Sequence, residues 1–156
     1  MNFLLFSDSR CNRIERGVNQ YRVQRGLPKY KCDSRVRRLA QWHTYDYTDS
    51  TCKNPAFCTD SCNGHGWHSE KWSLGCTSIC NCDNWIFDRY NSNHGLFINA
   101  EISAQNPNSN AVEGSAVGQW KNSPGHERLM VSRNSQVIGC SHFYQHATCF
   151  MAMNWG

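Results

Sequence analysis

The segment Trp120-Lys-Asn-Ser-Pro-Gly-His126 brings a helical pattern to its end on a histidine. Val112, Ala116, Val117 and Trp120 recur at helical spacing from Ala111. Pro124-Gly125 is then expected to stop the helix, because proline has no amide donor and glycine accepts unusual dihedrals. An imidazole leaving a packed element at a fixed angle can ligate a metal or polarise a bound group with little loss of rotamer freedom. Two other groupings carry ligand types. Cys58, Cys62, Cys76, Cys80 and Cys82 are close enough to share a zinc ion, but their spacing matches no zinc-finger pattern and disulfides are the favoured reading. His142 and His146 stand at i and i+4, a ligand spacing only on a helix; between Cys140 and Cys149 a hairpin loop with solvated histidines is expected instead. No Gly-rich phosphate loop, Gly-x-Ser-x-Gly elbow or His-Glu-x-x-His motif occurs, so nucleotide use has no support.

The elements that must position these residues are legible in outline. Ile14, Val18 and Tyr21 give Cys11 to Arg25 a helical period, which Gly26-Leu-Pro28 ends. Val36, Leu39, Ala40 and His43 continue the period in a second helix. From Thr48 to Gly64 periodicity gives way to Cys, Asp, Asn, Ser and Thr, the composition of a stapled loop. Trp85-Ile86-Phe87 reads equally as a strand or a buried turn. The turn clusters Asn91 to Gly95 and Asn106 to Asn110 bracket Leu96 to Ala104, and Gln136 to Cys140 and Thr148 to Asn154 read as two short paired strands. Helices early and strands late predict an α+β class.

At 156 residues the chain suits one domain able to bury about 68–70% of its unfolded surface. We place it at residues 9–156, with residues 1–8 as an N-terminal extension or signal remnant. Ten cysteines, an even count, imply an oxidising compartment and a disulfide framework, and so secretion. Met1 to Phe6 lacks a basic flank and a long apolar core, so the secretion signal is expected to be missing here, with the start either trimmed or taken too late. No window reaches the length of a membrane span. The net charge is +4, yet ten arginines and lysines crowd Arg10 to Arg38. Acidic glycans or anionic lipid would be drawn to such a stretch, although a solvated helix face is the favoured reading. Nucleic acid is not an expected partner for such a disulfide-rich chain.

Five segments in order carry a resemblance: Asn19-Gln-Tyr-Arg22 with Gly26-Leu27-Pro28; Val36 to Asp46 with Leu39-Ala-Gln-Trp42; Trp120 to His126; Val137-Ile-Gly-Cys140; and Cys149 to Gly156. Together they resemble the CAP superfamily, which includes cysteine-rich secretory proteins, antigen 5 venom proteins and plant pathogenesis-related 1 proteins. The Ser-Pro-Gly-His segment has the form common in bacterial members. The resemblance implies a three-layer α-β-α sandwich with a largely antiparallel central sheet, and a Cys140–Cys149 bridge between the last two strands.

It also implies a cleft of histidines and acids that holds a divalent metal in several members. His126 matches the second histidine of that cleft. Glu101, in Ala100-Glu-Ile102, matches the pocket glutamate without its usual Gly and Asn neighbours. His65 is the expected first histidine, with His68 its close competitor, and the second glutamate falls on Ser123. The expected metal set is therefore His65, Glu101 and His126, suited to zinc. The competing reading makes His65 a loop histidine, His126 a helix cap and Glu101 a partner for buried donors. The missing second carboxylate argues against an efficient hydrolase, so enzymatic activity is left open and leans to none. The resemblance points to a secreted recognition module for a lipid or sterol, a glycan or an extracellular protein, with a metal-dependent hydrolase as the alternative. An end at Gly156 leaves out the cysteine-rich C-terminal module of some relatives.

Overall fold

The computed structural model describes residues 10–49, 96–105, 112–144 and 146–153. They form α1 (Arg13–Gln24), β1 (Lys31–Cys32), α2 (Ser34–Asp49), β2 (Phe97–Gln105), α3 (Val112–Lys121), α4 (Pro124–Met130), β3 (Val137–Phe143) and β4 (His146–Met153). The strand order is β1-β3-β4-β2. β4 pairs antiparallel with β2 and β3, whereas β1 runs parallel to β3. The class is α+β, and the sheet is mixed rather than purely antiparallel. Its parallel member is a two-residue strand that the chain enters from α1 rather than through a hairpin.

Alternation along the strands sorts the core into two faces. Val36, Leu39 and Ala40 of α2 pack with Ile98, Phe150 and Ala152. On the opposite face Ile14 and Val18 of α1 and Val117 and Trp120 of α3 pack with Ile102, Ile138 and Met151, and Met130 of α4 joins them. The sheet thus lies between a layer containing α2 and a layer containing α1, α3 and α4.

α1 starts in a full capping box: Asn12 Oδ1 accepts from Glu15 N at 3.0 Å, and Glu15 Oε2 accepts from Asn12 N at 2.8 Å. The same two side chains grip β3, since Asn12 Nδ2 donates to Cys140 O at 2.7 Å and Cys140 N donates to Glu15 Oε1 at 3.0 Å. Gly26 ends the α1 turn at φ 71°, a conformation glycine takes without strain. Asn19 then holds the returning chain by accepting from Tyr30 N and donating to Tyr30 O. The Cys11–Cys32 disulfide closes the same excursion over a separation of 21 residues, a loop length that stabilises by about 3 kcal/mol.

Two expectations are corrected. Pro124 does not merely follow a helix end; it starts α4, with His126 in the first turn. The missing amide costs nothing at the first helical position, and proline's fixed φ suits it. The expected loop from His142 to His146 is mostly strand, because β3 runs to Phe143 and β4 begins at His146. Two positions separate the strands, and Tyr144 takes φ 55°, as tight hairpin connections require. Cys140 and Cys149 face each other across this ladder and are bonded.

α2 crosses β3 at Gly139. A Cβ there would lie 2.0 Å from Arg37 N and 2.3 Å from Val36 C, both backbone atoms. Gly139→Ala is therefore expected to lower unfolding stability by at least about 1–3 kcal/mol through overpacking, read as a lower urea midpoint at unchanged slope. At the start of α2, burial pushes the Asp33 carboxyl up. Hydrogen bonds from the Arg35 side chain and from the amides of Arg35 and Val36 outweigh this and hold it below its usual value. A lowered folded-state value contributes stability that is complete above about pH 4 and is lost as pH falls through the folded value. Urea unfolding across that acid range is expected to show a shallower fall for Asp33→Asn than for the parent.

Candidate functional site

The sheet face beneath α2 carries a polar cluster inside an otherwise apolar layer. A bulge decides which strand residues reach it. β2 pairs Ile98 with Ala152 but Ala100 with Met151, leaving Asn99 as the additional residue. Ile98 and Ala100 would otherwise share a face; the shift sends Ala100, Ile102 and Ala104 toward α1 and α3 and turns Glu101 and Ser103 toward α2. Asn99 is held in place by donating to Asn134 O at 3.1 Å and accepting from Ser135 Oγ at 2.7 Å.

Glu101 Oε1 lies 3.2 Å from His43 Nε2, with the two side chains 6% and 0% exposed. Ser103 Oγ donates to Glu101 Oε1 at 2.9 Å and lies 3.0 Å from Thr148 Oγ1, which in turn lies 3.3 Å from His146 Nε2. The His43 and His146 rings meet edge to face at 5.2 Å, and His43 also stands edge-on to Phe150. A continuous buried path of polar contacts therefore runs His43, Glu101, Ser103, Thr148, His146 and returns through the ring contact. Beside it Thr44 Oγ1 donates to Gln41 O and lies 3.2 Å from Ser141 Oγ.

Of the expected metal set, Glu101 lies in this cluster. Its contacts within the described residues run to His43 and Ser103. His126 is half-buried on α4, in the layer on the other face; its neighbour Glu127 accepts from Tyr21 Oη at 3.0 Å and so ties α4 to α1. His65 and His68, and the cysteine group from Cys58 to Cys82, lie outside the described residues. His146, expected to be solvated, is wholly buried.

Sequence reasoning missed His43 and His146 as partners of Glu101. A signal for His43 was present: it extends the buried stripe of Val36, Leu39 and Ala40, and a histidine on an apolar stripe needs a polar partner. For His146 the signal was its parity with Thr148, Phe150 and Ala152, visible only once the strand is known to begin that early.

The 3.2 Å between His43 Nε2 and Glu101 Oε1 suits a hydrogen-bonded pair. It also suits two ligands of one tetrahedral zinc, whose edge is about 3.3 Å for bonds of about 2.0–2.1 Å. Among the described residues, a group of three potential ligand residues within 4.8 Å occurs at Cys11, Glu15 and Cys32. It is not a metal centre, because the two sulfurs are bonded to each other and the carboxylate is taken by Arg37.

The sequence profile described as the cysteine-rich secretory protein family, CAP, matches residues 16–154. The chain belongs to the CAP family. No curated protein matches its sequence. Among solved structures, a cysteine-rich secretory protein from Staphylococcus aureus aligns with a TM-score of 0.61 at 10% identity, over 97% of this chain and 40% of that one. An extracellular protein containing an SCP domain from Bacillus anthracis aligns with a TM-score of 0.64 at 16% identity, over 95% and 41%. An outer surface protein from Borrelia burgdorferi aligns with a TM-score of 0.57 at 15% identity, over 99% of both chains. The CAP chain thus spans about 40% of the length of the first two. At these identities the likeness concerns the fold. Among the described residues, no helix is long and apolar enough to cross a membrane.

Deleting one end of the buried pair exposes its cost. Glu101→Ala is expected to destabilise the fold by about 2 kcal/mol, the scale for a hydrogen bond to a charged group left unmade. Glu101→Gln, which keeps the shape and an acceptor oxygen, should lose less. Guanidinium unfolding of the two variants beside the parent measures the difference.

Proposed function

We propose that the chain is a secreted CAP recognition module that engages a lipid, glycan or protein partner through its cleft or helix surfaces, with Glu101 at the candidate metal site. The observation that carries this reading is the environment of Glu101. Its carboxylate is buried, accepts from Ser103 and faces a wholly buried His43. A hydrolytic base must hold a water and reach a substrate. A carboxylate enclosed by neighbours in a packed layer is suited instead to fixing the architecture and, with an imidazole, to holding a cation.

Secretion is supported by the family, by the extracellular and outer-surface descriptions of two structural neighbours, and by the Cys11–Cys32 and Cys140–Cys149 bridges, which favour an oxidising compartment. For zinc, the set the resemblance implies is His65, Glu101 and His126; His126 stands on α4 across the sheet from Glu101, so the imidazole at hand for Glu101 is that of His43, 3.2 Å away. Bound there, zinc would supply a fixed positive charge and a Lewis acid.

Metal content of the purified, oxidised protein tests the site. Stoichiometric zinc is expected in the parent and is expected to be lost in Glu101→Gln. Loss in His126→Ala supports the set of His65, Glu101 and His126, whereas loss in His43→Ala with retention in His126→Ala assigns the metal to the His43–Glu101 pair. No zinc in any form after zinc addition removes the metal site and leaves partner binding to the surfaces. Ester or peptide hydrolysis abolished by a chelator and by His126→Ala would establish the hydrolase instead.

A further inference from the structure

Residues 10–38 carry ten arginines and lysines against two acids, Glu15 and Asp33. Both acids are already committed: Glu15 Oε2 meets Arg37 Nη2 at 2.6 Å, and Asp33 Oδ2 meets Arg35 Nη2 at 2.8 Å. Arg10, Arg13, Arg16 and Lys31 are exposed, and among the described residues none of the four pairs with a carboxylate.

The fold gathers these cations around the start of α1. Arg13 and Arg16 stand three residues apart on one helix and so share a face. Arg16 Nη1 donates to Cys11 O at 2.9 Å, which draws its guanidinium back toward the segment that carries Arg10. The Cys11–Cys32 bond holds β1, and with it Lys31, against the same end of the helix. Arg37 Nη2 donates to Arg10 O at 2.6 Å, so the first turns of α2 abut it as well. The positive end of the α1 macrodipole adds to the field of Arg13 and Arg16, at a place where acids rather than cations are stabilising. α2 likewise has no acid in its first turn. Like charges gathered in this way repel one another, and a polyanion laid across them would relieve the repulsion.

Guanidinium forks match the oxygens of sulfate and carboxylate by paired N–H donors. A membrane fits the surface less well. Protein surfaces that bind bilayers set apolar side chains beside their cations, whereas the large exposed apolar residues among those described are Val23, near the other end of α1, and Phe97, Phe143 and Tyr144 on the strands and their hairpin. The anionic lipids that attract basic clusters also face the cytoplasm. For a chain stapled by Cys11–Cys32 and Cys140–Cys149 in an oxidising compartment, the polyanion at hand is a glycan.

We propose that Arg10, Arg13 and Arg16, bordered by Lys31, form a docking surface for an acidic polysaccharide, an extended glycan that carries sulfate or carboxylate groups. The inference rests on the reading of the chain as a secreted recognition module and supplies its partner. Chelator-sensitive hydrolysis, the result that would replace that reading, is measured at a cluster that shares no residue with this surface, so the two failures are distinguishable.

Calorimetric titration of the full chain, disulfides intact, with heparin and with polygalacturonate tests the proposal, and uncharged dextran is the control. Saturable binding to at least one of the acidic glycans is expected. It should weaken about tenfold or more in the Arg10→Gln, Arg13→Gln double variant, with a shallower dependence on salt. The Arg128→Gln, Arg133→Gln double variant removes the same charge from exposed positions elsewhere and is expected to leave the affinity unchanged. Far-UV circular dichroism checks that both variants fold. Binding of heparin alone assigns the surface to sulfate, binding of polygalacturonate alone to carboxylate, and binding of both to the acidity they share. No heat beyond that of dextran, or equal losses in the two double variants, would overturn the proposal. So would sedimentation with phosphatidic acid vesicles in the absence of glycan binding, which would make the surface a membrane contact.

Discussion

Four donors converge on the buried carboxylate of Glu15: the amides of Asn12 and Cys140, and Nε and Nη2 of Arg37. They come from the start of α1, the middle of β3 and the first turns of α2. One carboxylate therefore joins both helical layers to the sheet between them. Burying such a group without donors would cost several kcal/mol, and removing one partner of a buried pair typically costs about 3–5 kcal/mol. Saturation by four donors fixes where α1 and α2 meet β3. Gly139 next to Cys140 is part of the same constraint, because α2 can approach Arg37 to Glu15 only where β3 presents no side chain. The Cys11–Cys32 and Cys140–Cys149 bridges lie at this junction and make it harder to open.

With α2 seated on β3, its stripe of Val36, Leu39, Ala40 and His43 must run over the sheet face that continues through Phe150 and Thr148 toward His146. The bulge at Asn99 then delivers Glu101 to that face. Neither feature would suffice alone: with no bulge, Glu101 would turn toward α1 and α3, away from His43; with α2 displaced, the carboxylate would be buried without its imidazole. The candidate site is thus a consequence of two register decisions, one at Gly139 and one at Asn99, made some distance from the groups that carry its chemistry.

This dependence explains how much could be read from the chain. The first helix, with its apolar spacing and Gly26 stop, and the second helix follow from local pattern, as does the bracketing of Leu96 to Ala104, which carries Glu101, by two turn clusters. The ordered resemblance supplied the family and the last-strand bridge. Pro124 was misread because the same residue that ends one helix is favoured at the first position of the next, and only the packing of Met130 decides between them. His146 was misread because strand ends are weak signals and a hairpin connection of two residues was not distinguishable from one of five. The partnership of His43 with Glu101 was hidden by the bulge. A period of two predicts a face, but an extra residue reverses it, and the hydrogen bonds that hold Asn99 come from the segment before β3.

The treatment of charge separates scaffold from surface. Arg37 and Arg35 meet carboxylates, and hydrogen bonding to Glu15, opposed by burial, raises the Arg37 pKa. These charges are balanced within the fold. Arg22 is buried as deeply as Glu15, yet its acceptors are the carbonyls of Pro28, Met130 and Ser132 together with the Tyr30 ring, which orient the guanidinium without cancelling its charge. Carbonyl dipoles can fasten the end of α1 to the segment after α4, so Arg22 has a structural role in any case. The fold therefore holds its arginines in two ways: a carboxylate answers the charge of Arg37, whereas carbonyls and a ring face satisfy the donors of Arg22 and spread its charge over their dipoles.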